Sequence, residues 1–164
     1  LIVISQTIPI IAVAPLFIIW FGYGILPKVV VVALVCFFPV AVSMVEGMDA
    51  ADPEMVNMLQ VMGASPWQAI KLVRLPAALP SFFAGLKIAA TYAIMGAVIG
   101  EWLGATKGLG LFMTRASHAY RLSSVLAAVA VISFISLIMF FLVETLARLF
   151  MPWYYRRKGE NYQA

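Results

Sequence analysis

From Leu122 to Val143 the chain runs without a charged residue, and from Leu1 to Pro27 it does the same. A helix needs about 20 apolar residues to cross the hydrocarbon of a bilayer. Inside that layer every backbone N–H and C=O must find its partner within the protein. Two such runs make an all-α, polytopic transmembrane bundle the fold to expect. Composition agrees, since 64% of the 164 residues are hydrophobic and 11% are charged, against roughly 25% charged in soluble domains. The single cysteine, Cys36, leaves neither a disulfide framework nor a cysteine-rich metal site. It reads as a small apolar packing residue.

Four spans are expected, at about 3–22, 28–46, 81–103 and 122–150. Pro9 and Pro15 interrupt the first and Pro39 falls within the second. Each proline removes a helix hydrogen bond, which a membrane tolerates only where protein or a wet cavity satisfies the freed group. Trp20, Tyr23, Trp102, Tyr120, Trp153 and Tyr154 all fall near span ends, as an aromatic belt requires. Residue 1 is Leu and opens inside an apolar run. The expectation is a chain lacking its N-terminal part, and no charged stretch precedes that run to suggest a signal peptide.

Residues 47–78 differ in kind. Asp52-Pro53 reads as an N-cap followed by the first helical residue. Met55, Met58, Leu59 and Met62 then recur at helical spacing, which predicts one apolar face. Gly63 is placed to end that helix in a left-handed conformation. Ser65, Pro66 and Gln68 form a capping-box pattern for a second helix, and Pro76 is expected to stop it. The stretch is thus expected to be a helical hairpin outside the bilayer. Its methionine face suits either a partner surface or packing against the rest of the chain.

With four spans, the hairpin shares a side with the tail. That side holds Lys71, Arg74, Lys87, Arg148, Arg156, Arg157 and Lys158, and the other holds Lys28, Lys107, Arg115 and Arg121. The excess places the hairpin in the cytoplasm. Residues 104–121, with three glycines and three cations, are expected to be an external loop. Lys87, near a span end, can snorkel its charge to the headgroups, and Glu144 and Arg148 are spaced to pair on one helix.

Glu101, at the end of a span, is a candidate for the gate or substrate pathway. The plainer reading is a solvated carboxylate, or one paired with Lys107 or Arg115. Tyr92 is the aromatic candidate for a pathway contact, although Ala89, Ala93 and Gly96 around it also suit helix packing. Arg115 and Arg121 are either solvated or face a partner, and His118 lacks a second ligand for a metal. No GxxxxGK[ST] phosphate loop is present. No His, Cys or carboxylate cluster suggests catalysis, and no feature points to nucleic acid.

The stretch "GASPWQAIKLVRLP", residues 63–76, resembles the coupling-loop signature of bacterial ABC importer permeases: EAA, three residues, G, nine residues, I, one residue, LP. Gly63 takes the glycine position, Val73 the isoleucine, and Leu75-Pro76 the final pair. The EAA positions fall on Asn57, Met58 and Leu59, so the family's glutamate is absent. "PIIAVAPLFIIWFGYG", "FFPVAVSMVEGMDAADPEM" and "LPAALPSFFAGLKIAATYAIMGAVIGEWLGATKGLG" are similar to the nitrate/sulfonate/taurine-type and thiamine-precursor-type permeases. The resemblance implies a type I importer bundle in the bacterial cytoplasmic membrane. In it, Met58, Leu59, Met62, Gly63, Ala64, Ser65, Pro66, Leu75 and Pro76 would form the coupling element. Its implied partners are cytoplasmic ATPase subunits, which use ATP and Mg, a solute-binding protein, and a second permease copy. This chain would bind no cofactor. The absence of fixed mid-membrane cations points to a neutral or heteroaromatic cargo such as a thiamine-precursor pyrimidine, ahead of sulfonate, taurine or nitrate. A channel, scaffold or membrane enzyme without an ATPase is the alternative.

Overall fold

The computed structural model describes residues 10–102 and 104–154, and all regular structure among them is helical. In chain order the helices are α1 (Ile10–Phe21), α2 (Leu26–Asp49), α3 (Pro53–Val61), α4 (Pro66–Ala69), α5 (Leu75–Trp102), α6 (Leu109–His118) and α7 (Leu122–Phe150). Residues 3–9 of the first expected span, Leu103, and the tail cations Arg156, Arg157 and Lys158 lie outside the described residues.

Three helical segments are long and apolar enough to cross a membrane: Leu26–Asp49, Pro66–Trp102 and Leu122–Phe150. Only 6% of the most apolar window of the first and last is buried within the chain. Such a display of Leu, Val, Ile and Phe in water would far exceed the apolar patches of soluble monomers. In lipid it costs nothing, and the chain is a multi-pass membrane protein.

Residues divide into two compact units. The first takes the described residues up to Phe38 together with Ile88–Phe141. Here Phe17 and Val31 form a small core with Val13, Val30 and Val35 around them. The Cys36 thiol donates to the Ala89 carbonyl at 3.3 Å, so α2 and α5 approach at small side chains. The second unit takes Pro39–Lys87 and the described residues from Leu142 onward. In it α2 and α5 nearly touch: a Cβ added to Gly85 would sit 2.7 Å from the Pro39 carbonyl oxygen. Phe83 stacks on Phe150, ring centres 6.1 Å apart. Lys87 pairs with Glu144, and Glu144 also accepts from Arg148 Nε at 3.1 Å. Lys87 therefore bridges α5 to α7 within this unit.

Two sequence expectations are corrected. Pro76 does not stop the second helix of the hairpin. A π-helical turn, Ile70–Arg74, joins α4 to α5, and the Leu75 N–H reaches back to the Ile70 carbonyl. Widening the turn shifts the hydrogen-bond register there. Pro76 then falls in the first turn of the continuing helix, where a missing N–H is tolerated. The resulting segment Pro66–Trp102 has 37 residues, about 55 Å at 1.5 Å per residue. That length exceeds a hydrocarbon core of about 30 Å, so part of the segment lies outside it. The second correction concerns 104–121, which contains α6. Leu109, Phe112, Met113 and Ala116 give it helical periodicity, which the glycines and cations obscured.

Candidate functional site

The hairpin is built from local signals. Asp52 accepts from the Glu54 N–H at 2.9 Å with Pro53 at the first helical position, which starts α3. At the other end the Gly63 N–H bonds to the Gln60 carbonyl and the Ala64 N–H to the Leu59 carbonyl, both at 3.0 Å. This is the paired C-terminal bonding that needs a left-handed residue, and Gly63 supplies φ +83°. Ser65 and Gln68 then cap each other's backbone N–H groups reciprocally, at 3.4 and 2.7 Å. Two caps around one glycine make a turn of defined direction.

The apolar residues of this hairpin sort into two sets. Val56 and Ala69 are buried and Leu59 is half-buried, holding α3 to the following turns. Leu59 thus parts from the methionines with which periodicity grouped it. Met58 is 65% exposed, Met62 72%, Val61 90% and Trp67 71%, with Met55 and Leu72 also exposed. The methionines do not pack on the rest of the described chain. Val61, Trp67 and Leu72 extend the surface, and only the tertiary arrangement reveals their membership. Ala64 is half-buried, while Ser65, Pro66, Leu75 and Pro76 are exposed. Asn57 and Arg74 line a polar cleft of about 250 Å³ with Asp49 and Gln60.

Glu101 occupies a different setting from a solvated span end. Its Oε2 accepts from the Gly110 N–H at 2.6 Å, placing a carboxylate at the start of α6. Neither Lys107 nor Arg115 is its hydrogen-bond partner. The Trp102 indole N–H and the Thr114 hydroxyl both donate to the Gly110 carbonyl, each at 3.1 Å. Gly108 has φ +144°, and a Cβ there would overlap the Glu101 carboxyl group. The spacing of Glu101-Trp102 to Gly108-Leu109-Gly110 was the available signal for this knot. Reading the glycines as loop punctuation hid it.

Glu101 also lines an apolar groove of about 350 Å³ with Lys28, Val29, Val32, Ala33, Cys36 and Ala97. Tyr92 is 44% exposed on α5 and does not line this groove. The structure thus separates the two residues that the sequence singled out as pathway candidates.

At the far end of α6, the Tyr120 N–H bonds to the Ser117 carbonyl at 3.0 Å and the Arg121 N–H to the Ala116 carbonyl at 2.9 Å. This repeats the bonding seen at Gly63, with a tyrosine at φ +54° in the glycine position. A side chain in that conformation costs about 1–2 kcal/mol.

A family model described as the binding-protein-dependent transport system inner membrane component matches residues 1–154. The chain belongs to that family. Among relatives of this inner membrane component is the formylaminopyrimidine transport permease protein ThiX of Halalkalibacterium halodurans. It is 39% identical over 93% of this chain and 61% of its own length. The riboflavin transport system permease protein RibX of Chloroflexus aurantiacus is 36% identical over 91% and 56%. The taurine transport system permease protein TauC of Escherichia coli is 34% identical over 91% and 54%. The chain therefore spans a little over half the length of these relatives.

Proposed function

We propose that this inner membrane component is the permease part of an ABC importer, coupled to a separate ATPase subunit through residues 53–76. The observation that carries this reading is the exposed apolar set on the hairpin, Met58, Val61, Met62, Trp67 and Leu72. Trp67 and Leu72 stand on the segment that is too long for the bilayer, Met58, Val61 and Met62 on the helix before it and its C-cap, and all five would be costly in water. Seated in a groove of a cytoplasmic partner they are buried, and flexible methionines mould to such a groove. Pro66–Trp102 is one continuous helical segment, which joins the second helix of the hairpin to the span without a break. ATP and Mg are used by the partner, and this chain is a transport subunit rather than an enzyme.

The excess of cations on the hairpin side supports a cytoplasmic hairpin. The exposed span faces leave room for a second permease copy, and the family description supports a solute-binding protein as donor of the cargo. For the cargo, the groove offers an apolar wall whose lining includes one cation, Lys28, and one carboxylate, Glu101. That lining suits a small heteroaromatic solute, such as a pyrimidine, better than a compact inorganic anion. The identities to the formylaminopyrimidine and riboflavin permeases support the same direction.

Co-purification with a cytoplasmic ABC ATPase subunit of the same organism tests the reading. Met58→Asp with Met62→Asp should abolish that association while the protein stays in the membrane. Retained association, or active uptake without any ATPase, would favour a channel or scaffold instead.

A further inference from the structure

We infer that the cleft formed by the end of α5, α6 and the start of α7 is a binding site for a small, uncharged heteroaromatic ring, separate from the groove beside Lys28 and Glu101. The inference rests on the importer reading above and names a further holding point for its cargo. Trp102, Met113, Thr114, Ser117, His118 and Val125 line the cleft, whose volume is about 370 Å³. Small-molecule pockets run from about 300 to 1,000 Å³. One part of the lining is an aromatic face in a fixed place. The Trp102 indole N–H donates to the Gly110 carbonyl at 3.1 Å, which pins the ring, yet the residue stays 54% exposed. A pinned, open indole offers a stacking surface with little left to order on binding.

The polar groups of the cleft suit the same kind of ligand. Ser117 and His118 are exposed, and neither side chain has a hydrogen-bond partner among the described residues. A hydroxyl and an imidazole can each donate and accept, as the amino group and ring nitrogens of an aminopyrimidine require. Thr114 is already committed, donating to the Gly110 carbonyl at 3.1 Å. Among the described residues, no Asp, Glu, Lys or Arg lines the cleft. A sulfonate or nitrate would give up water there without gaining a fixed countercharge. Met113 and Val125 supply apolar contact. Glu101 and Trp102 are successive residues, about 100° apart around a helix, and they line the groove and the cleft respectively. Gly110 holds both, the one through its N–H and the other through its carbonyl.

The test titrates 4-amino-2-methylpyrimidine into the permease–ATPase complex in phosphatidylcholine nanodiscs, with neither binding protein nor ATP present. The permease carries fluorotryptophan, and the Trp102 fluorine resonance is assigned by its loss in Trp102→Phe. That resonance should shift saturably as the ring stacks, which reports on the cleft whatever the groove holds. His118→Ala and Ser117→Ala should each raise the midpoint of the shift about threefold or more. Neither variant touches the bonds that converge on Gly110. Taurine should move the resonance little and should not compete. A Trp102 resonance that stays unmoved up to the solubility limit of the probe overturns the inference. So does a midpoint that both variants leave unchanged, and so does taurine binding as tightly as the pyrimidine. The importer reading fails separately: a chain that purifies with no ATPase refutes it, and the titration, which needs none, still decides the cleft.

Discussion

Glu101 and Gly110 lie nine residues apart and are joined by one hydrogen bond, from the Gly110 N–H to Glu101 Oε2 at 2.6 Å. The bond closes the chain between α5 and α6 and places a negative charge at a helix start, where it is favourable. Trp102 and Thr114 converge on the carbonyl of the same glycine. Glu101→Gln keeps an acceptor and loses the charge, so it should cost about 0.3–1 kcal/mol. Glu101→Ala leaves the N–H of a buried glycine unpaired and should cost about 1–3 kcal/mol. Hydrogen exchange over 104–118 should rise strongly in the Ala variant and little in the Gln variant. Loss of uptake in the Gln variant with exchange unchanged would show that Glu101 acts on the solute itself.

Gly63 stands in open space, since a Cβ built there meets nothing within 4 Å. The cost of a side chain is then confined to its positive φ, about 1–2 kcal/mol. Gly63→Val should therefore insert at near-normal levels. In the reconstituted complex it should nonetheless lose transport and substrate-stimulated ATP hydrolysis, because relieving the strain re-aims α3. Gly63→Asn, which tolerates the left-handed region, should retain much more of both. Equal activity of the Val and Gly proteins would count against coupling through this turn.

Lys87 and Glu144 form a partly buried pair between α5 and α7. Both side chains are partly buried, so Lys87→Met and Glu144→Leu should each destabilise by about 1–3 kcal/mol, the Lys87→Met loss being the smaller because Glu144 keeps its bond from Arg148. The double variant should recover most of that loss, since a well-packed apolar pair often replaces a buried ion pair without penalty. Arg148→Ala should cost about 0.5 kcal/mol at most, as an exposed i,i+4 contact. Thermal unfolding in detergent, analysed as a double-mutant cycle, measures the coupling.

Val61 is 90% exposed in the hairpin, and Lys107 is exposed between α5 and α6. In a Cys36→Ala background, Val61→Cys and Lys107→Cys should react with an impermeant maleimide from opposite sides. Lys107→Cys should label in intact cells and Val61→Cys only after permeabilisation. Labelling of both in intact cells would refute the orientation.

Residue order alone carried the helical class, the membrane setting and the hairpin's punctuation. Those depend on local or one-dimensional signals: an uncharged run, a Ser-x-x-Gln cap, a glycine between two capped helices. Asp52, Gly63 and Ser65 act on atoms within five residues of themselves, so their spacing predicts their bonds. Four features required tertiary structure. Pro76 reads as a stop until a π turn upstream moves the register and absorbs it. Met58 and Leu59 share a periodic face in sequence, yet burial separates them, because which side of a short helix is covered depends on what packs there. Glu101 reads as a span-end charge until α6 folds back and offers it the Gly110 N–H. Lys87 and Glu144 lie on different helices, far apart in sequence, and only packing brings an ammonium to a carboxylate. Local hydrogen bonds are encoded where they form, whereas partners distant in the chain are selected by the packing of whole helices.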